Sequence, residues 1–126
     1  MLQINEKYYV ADHGLREAVY GYNERDIEPV LENMVCLELL RRGYDVSVGR
    51  VDGKEIDFIG VRDGKRIYVQ VCYLIAGEGT VEREFDVYYD IADNFPKYVV
   101  SMDEPDMSRD GIVHQNIRDF LLSDTF

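Results

Sequence analysis

The chain has 126 residues, 46% of them hydrophobic and 12% aromatic, which suits one domain with its own core and is too apolar for a disordered tail. Fourteen Lys and Arg against 25 Asp and Glu give a net charge of -11, so the surface as a whole repels a phosphate backbone unless its few cations gather on one patch. No apolar run approaches the roughly 18–20 residues that cross a bilayer, and the amino end lacks a basic stretch followed by an apolar signal core. A cytoplasmic protein with no membrane partner is expected.

Residues 1–26 read as an N-terminal extension, rich in tyrosine and closing in an acidic cluster, as a short strand or helix entering a loop would. A helix follows from about Pro29 to Arg42. Pro29 suits a first turn, Leu31, Met34, Val35 and Leu39 recur at helical spacing, and Gly43 after Arg41 and Arg42 supplies the stop. Three strands come next, at about 45–50, 55–62 and 65–73, joined at Asp52-Gly53 and Asp63-Gly64. Both dipeptides tolerate the positive φ angles of two-residue hairpins. "VEREFDVYYDIADNF" places Val81, Phe85, Tyr88, Ile91, Ala92 and Phe95 on one face of a second helix. "KYVVSM" is a short buried strand, "DEPDMSRDG" a polar loop, "IVHQN" a last strand and "IRDFLL" a closing helix. This order predicts an α/β domain, a mixed sheet flanked by helices, spanning 27–126.

The turns set the register. With Asp63-Gly64 as the loop, Arg62 faces Lys65, Asp57 faces Gln70 and Glu55 faces Cys72; across the first hairpin Arg50 faces Glu55. Alternation then puts Ile56, Phe58, Ile67, Val69 and Val71 on one apolar face. The other face carries Val46, Val48, Ile59, Val61 and Tyr68 at one end and Arg50, Glu55, Asp57, Gln70 and Cys72 at the other. A polar group at one end of one sheet face is either a ligand set or a solvated edge.

Other signals are weaker. Cys36 and Cys72 form no CxxC pair and are expected as reduced thiols. His13 and His114 have no carboxylate or cysteine at ligand spacing, and neither GxxxxGK[ST] nor GxGxxG occurs.

With helix, meander, helix and strand in this order, the chain resembles the PD-(D/E)XK nuclease superfamily, whose restriction-endonuclease-like core has that arrangement. "KYYVADHGLREAV", "LENMVCLELLRRGYDV", "EIDFIGVRDGKRIYVQV" and "IRDFLL" further resemble the carboxy-terminal domain that follows the motor in a family of prokaryotic AAA+-type ATPases. The resemblance implies an ATPase motor upstream of Met1 as the partner. It also maps the nuclease motif onto Asp57, onto Gln70 where a Glu is usual, onto Cys72 where a Lys is usual, and onto Glu32 as the helix acid. Helical phase offers Glu38 as the rival acid, one turn after Met34.

The two departures weaken the implied chemistry. Gln70 offers magnesium a carbonyl oxygen without a charge, so Asp57 and Gln70 make a weak metal pair, and no cofactor is expected unless the site is active. Cys72 is short and mostly neutral where a lysine would stabilise charge developing on phosphate. The expected function is a non-catalytic accessory domain, holding another protein or DNA for the ATPase. The alternatives are a metal-dependent nuclease with a variant motif and a structural module that forms a homo-oligomer.

Overall fold

A computed structural model describes residues 24–75, 80–123 and 125–126. The tyrosine-rich start, with His13 and the first family-like motif, lies outside the described residues.

Helix α1 spans Glu24–Arg41 and is followed by strands β1 (Asp45–Val51), β2 (Lys54–Arg62) and β3 (Lys65–Val71). Helix α2 (Thr80–Tyr89), strand β4 (Lys97–Ser101), strand β5 (Val113–Asn116) and helix α3 (Ile117–Leu122) complete the order. The five strands form one sheet in the order β1-β2-β3-β4-β5. β1, β2 and β3 run antiparallel, whereas β4 lies parallel to β3 and β5 parallel to β4. The sheet is mixed and covered on both faces. Ile27, Leu31, Val35 and Leu39 of α1 pack with Phe120 and Leu121 of α3 on Phe58, Ile67, Val69, Val71 and Val100. On the other face Phe85 and Tyr88 of α2 pack with Ile91 on Ile56, Tyr68, Cys72 and Val99.

Local chemistry explains most boundaries. α1 stops where Gly43 takes φ +90°; its N–H donates to Leu40 O at 3.0 Å and Tyr44 N–H to Leu39 O at 3.1 Å, the paired bonds of a Schellman cap. Asp52 and Gly53 have φ 50° and 81°, and Asp63 and Gly64 have φ 52° and 76°, as type I′ hairpins require. Asp110 and Gly111 repeat the pattern at φ 51° and 79°, closing a one-bridge turn between Arg109 and Ile112 inside the expected polar loop.

Three expectations need correction. Pro29 lies inside α1, five residues after its first residue, so the helix tolerates a missing N–H where a first-turn position was expected. α2 ends at Tyr89, and Ala92 and Phe95 are exposed. Asp93 turns its carboxylate to the Phe95 N–H at 3.0 Å, and Pro96 disfavours helical backbone at Phe95.

The third correction concerns the sheet faces and has one cause. Ser47 pairs with Ile59 but Gly49 with Ile56, so Val48 alone stands opposite both Asp57 and Phe58: a β-bulge on β2. The extra residue breaks the alternation. Ile56 joins the α2-side core while Phe58 joins the α1-side core, and Val46 pairs with Gly60 and packs on the α1 side instead of facing Ile59.

Candidate functional site

The hairpin register holds from Arg62↔Lys65 to Phe58↔Val69, where the paired residues end. In an unbroken ladder Ile56 and Val71 would exchange the next bonds, but the bulge carries Ile56 away. Side chains replace them. The Val71 N–H donates to Asp57 Oδ2 at 2.8 Å, and the Asp57 N–H donates to Gln70 Oε1 at 2.7 Å. Asp57 and Gln70 therefore meet as expected, joined through backbone amides. Glu55 and Cys72 do not pair; Glu55 is 81% exposed and holds Arg50 at 3.2 Å, as the first hairpin predicts.

The two rival acids of α1 separate clearly. Glu38 is buried and bound at its own end of the helix, accepting from Arg41 Nε and Nη2 and from Arg42 Nε, each at 2.8 Å. Arg42 in turn donates through Nη2 to Phe120 O and Ser123 O, both at 2.6 Å, and stacks on Phe120. This network clamps α3 to α1. Glu32 instead lies near Asp57: burial pushes its carboxyl upward, and the charges of Asp57 and Glu28 push it further. Burial also raises Asp57, with Glu28 and Glu55 adding to the rise and the Val71 N–H opposing it. The polar end of β2–β3 is thus a group of mutually repelling carboxylates.

Cys72 is fully buried in the α2-side core, and its N–H donates to Val100 O at 3.1 Å. Burial, reinforced by the charges of Glu84 and Asp103, holds its thiol protonated far above the ordinary range. Cys36, half-buried on α1, is likewise a free thiol. Among the described residues no three His, Cys, Asp or Glu side chains converge to hold a metal ion.

A second polar cluster lies in the core, and the spacing of its residues in the sequence hides it. Parallel pairing of β4 with β5 brings Ser101 beside the strand that carries His114. Met107 N–H donates to His114 Nδ1 at 3.1 Å, so the ring proton sits on Nε2 and is directed at Ser101 Oγ, 2.8 Å away. Ser101 Oγ donates to Asp103 Oδ2 at 2.6 Å, and that oxygen also accepts the Ile75 N–H at 2.6 Å. The hydroxyl gives its proton to the carboxylate and receives one from the imidazole, the reverse of an activated serine nucleophile. Burial lowers the His114 pKa against the pull of Asp103 and Asp106. The cluster fastens the 102–112 loop to the sheet. A serine, a histidine and an aspartate at the ends of adjacent apolar strands were the available signal.

Comparison with known proteins adds length but no activity. A protein of Haemophilus influenzae, described as an uncharacterized protein, is 43% identical over 100 residues, which cover 79% of this chain and 24% of that protein. The chain therefore spans about a quarter of the length of the relative it matches. No family model matches the chain, and no solved structure matches it. No helix among the described residues is long and apolar enough to cross a membrane.

Proposed function

We propose that this domain is a non-catalytic accessory module of a larger ATPase, built on a nuclease-like core whose site is now used to hold the sheet together. The observation that carries the reading is the use made of the motif atoms: Asp57 Oδ2 and Gln70 Oε1 both accept backbone N–H groups. Cys72, at the position of the motif lysine, is sealed in the core and protonated. The donor set fits a resident magnesium ion poorly, because Gln70 brings no charge and its carbonyl oxygen faces an amide. Asp57 and the neighbouring Glu32 are the charged members of that set, and Asp57 Oδ2 is already taken by the Val71 N–H. A Haemophilus influenzae relative about four times as long as the matched segment is in keeping with a module inside a larger chain.

The test is incubation of the purified chain with linear, circular and branched DNA and with RNA, in magnesium and then manganese. No cleavage is expected. Metal-dependent cleavage abolished by Asp57→Ala would restore the nuclease reading. Gln70→Glu with Cys72→Lys rebuilds the motif on paper, but it forces an ammonium into the core between Ile75, Phe85 and Tyr88. We expect that pair to lose stability, because the apolar core around position 72 cannot solvate an ammonium even with the charges of Glu84 and Asp103 in reach.

A further inference from the structure

The chain carries a net charge of -11, yet one end of the sheet is cationic. At the tip of the β2–β3 hairpin Arg62, Lys65 and Arg66 line a cleft of about 310 Å³, walled by Tyr44 and Phe95. Two aromatic rings hold the guanidinium groups. Arg62 lies over the Tyr44 ring, 4.7 Å from its centroid, and also donates to Arg42 O at 2.8 Å; Arg66 lies over the Phe95 ring at 5.4 Å. Tyr44 is itself held against Gly60, where an added Cβ would come within 3.2 Å of Tyr44 Cδ1. Asp63 is the acid in the lining; its carboxylate is 89% exposed and stands 4.0 Å from Arg62 Nε.

We propose that this cleft binds the diphosphate group of a small ligand. Arg62 and Lys65 pair on one face of the hairpin and Arg66 lies on the other, so an anion at the tip is met from both flanks. Guanidinium groups match the paired oxygens of phosphate, and Lys65 adds a point charge at the exposed tip. An arginine lies over each ring, so the aromatic walls orient the cations. The volume sits at the small end of ligand clefts, about 300–1,000 Å³, and accommodates a diphosphate. Charge separates a short anion from a long one: a polynucleotide anchored here would run onto the acidic remainder of the surface, whereas a diphosphate ends within the cleft. The ligand is either inorganic pyrophosphate or the tail of a nucleoside diphosphate. The inference is independent of the Asp57 end of the same strands.

Isothermal calorimetry on the intact 126-residue chain in EDTA, with pyrophosphate, adenosine diphosphate and a 20-nucleotide single strand as probes, tests it. One-to-one binding of pyrophosphate is expected, weakened about tenfold or more by Lys65→Gln and by Arg66→Gln, since each deletes a charge on the anion. Arg50→Gln, an equal change of charge on β1, should leave binding within about twofold, as expected for an exposed pair distant from the ligand. Equal affinity for the two small probes assigns the site to the diphosphate alone; tighter binding of the nucleotide assigns it to a nucleotide tail. Absence of binding at about 1 mM would overturn the proposal. So would binding indifferent to Lys65→Gln and Arg66→Gln, or tighter binding of the single strand that the same substitutions abolish.

Discussion

The β2–β3 hairpin has two unlike ends. At Asp63-Gly64 the strands close in regular register on a type I′ turn, and the side chains there are cationic. At the opposite end the bulge at Asp57 and Phe58 breaks the ladder, the side chains are acidic, and a carboxylate and an amide take over the bonds that the backbone leaves. The backbone of the regular end is set by its own turn. The irregular end exists because Ile56 and Phe58 serve two different cores, and Asp57 is the residue that absorbs the change of face. The comparison explains how an acid can look catalytic in a sequence and be structural in the fold: the bulge leaves Val71 N–H without its strand partner, and Asp57 supplies one.

Substitutions at the two ends should separate them. Asp57→Ala leaves the buried Val71 N–H unpaired, and we expect about 2 kcal/mol of lost stability, the cost of orphaning a donor that bonds a charged group. Denaturant unfolding measures it. A change near zero would mean that relief from Glu28 and Glu55 outweighs the lost bond and that the carboxylate is not a tie. At the tip, Gly64→Ala meets no atom within 4 Å but must hold φ +76°, so about 1 kcal/mol should be lost, from backbone conformation alone. A substantially larger loss would show that the tip, too, depends on contacts beyond the turn.

The smallest effect is one of pH. Glu32 has a carboxyl raised in the folded chain, so the folded state holds its proton more tightly than the unfolded one. Its contribution is fully present below the ordinary glutamate pKa, about 4.3, and is lost as pH rises through the higher folded value. Glu32→Gln should flatten the fall in stability above that pH and leave the chain slightly more stable at pH 7. An unchanged slope across the titration would separate Glu32 from Asp57. His114 works in the other direction: its lowered pKa removes stability as pH falls below about 6.5.

What the sequence discloses follows the same division. Asp-Gly dipeptides, Gly43, the Leu31–Val35–Leu39 stripe and the closing "IRDFLL" are local signals, and the elements built on them stand where those signals put them. The meeting of Asp57 with Gln70 was legible because it needs only a turn and a count. The bulge was not legible, since it arises from competition between two helices for neighbouring apolar residues, and strict alternation conceals it. Glu38 and Cys72 misled for a related reason: helical phase and motif spacing show that a side chain points inward without showing whether a charge partner or an apolar core receives it. Glu38 met Arg41 and Arg42, and Cys72 met a core. The Ser101–Asp103–His114 cluster needed the parallel pairing of two strands, which the chain order does not specify.

The most direct test of the claim that Asp57 is a structural tie is backbone amide hydrogen exchange at Val71 and Asp57, followed by NMR in EDTA and then in millimolar magnesium. If Asp57 Oδ2 and Gln70 Oε1 are committed to these amides, both should exchange slowly, at rates set by opening of the sheet, and magnesium should leave them unchanged. Rapid exchange at Val71, or protection that magnesium removes as the carboxylate turns to the ion, would contradict the account and return Asp57 to the candidate metal site.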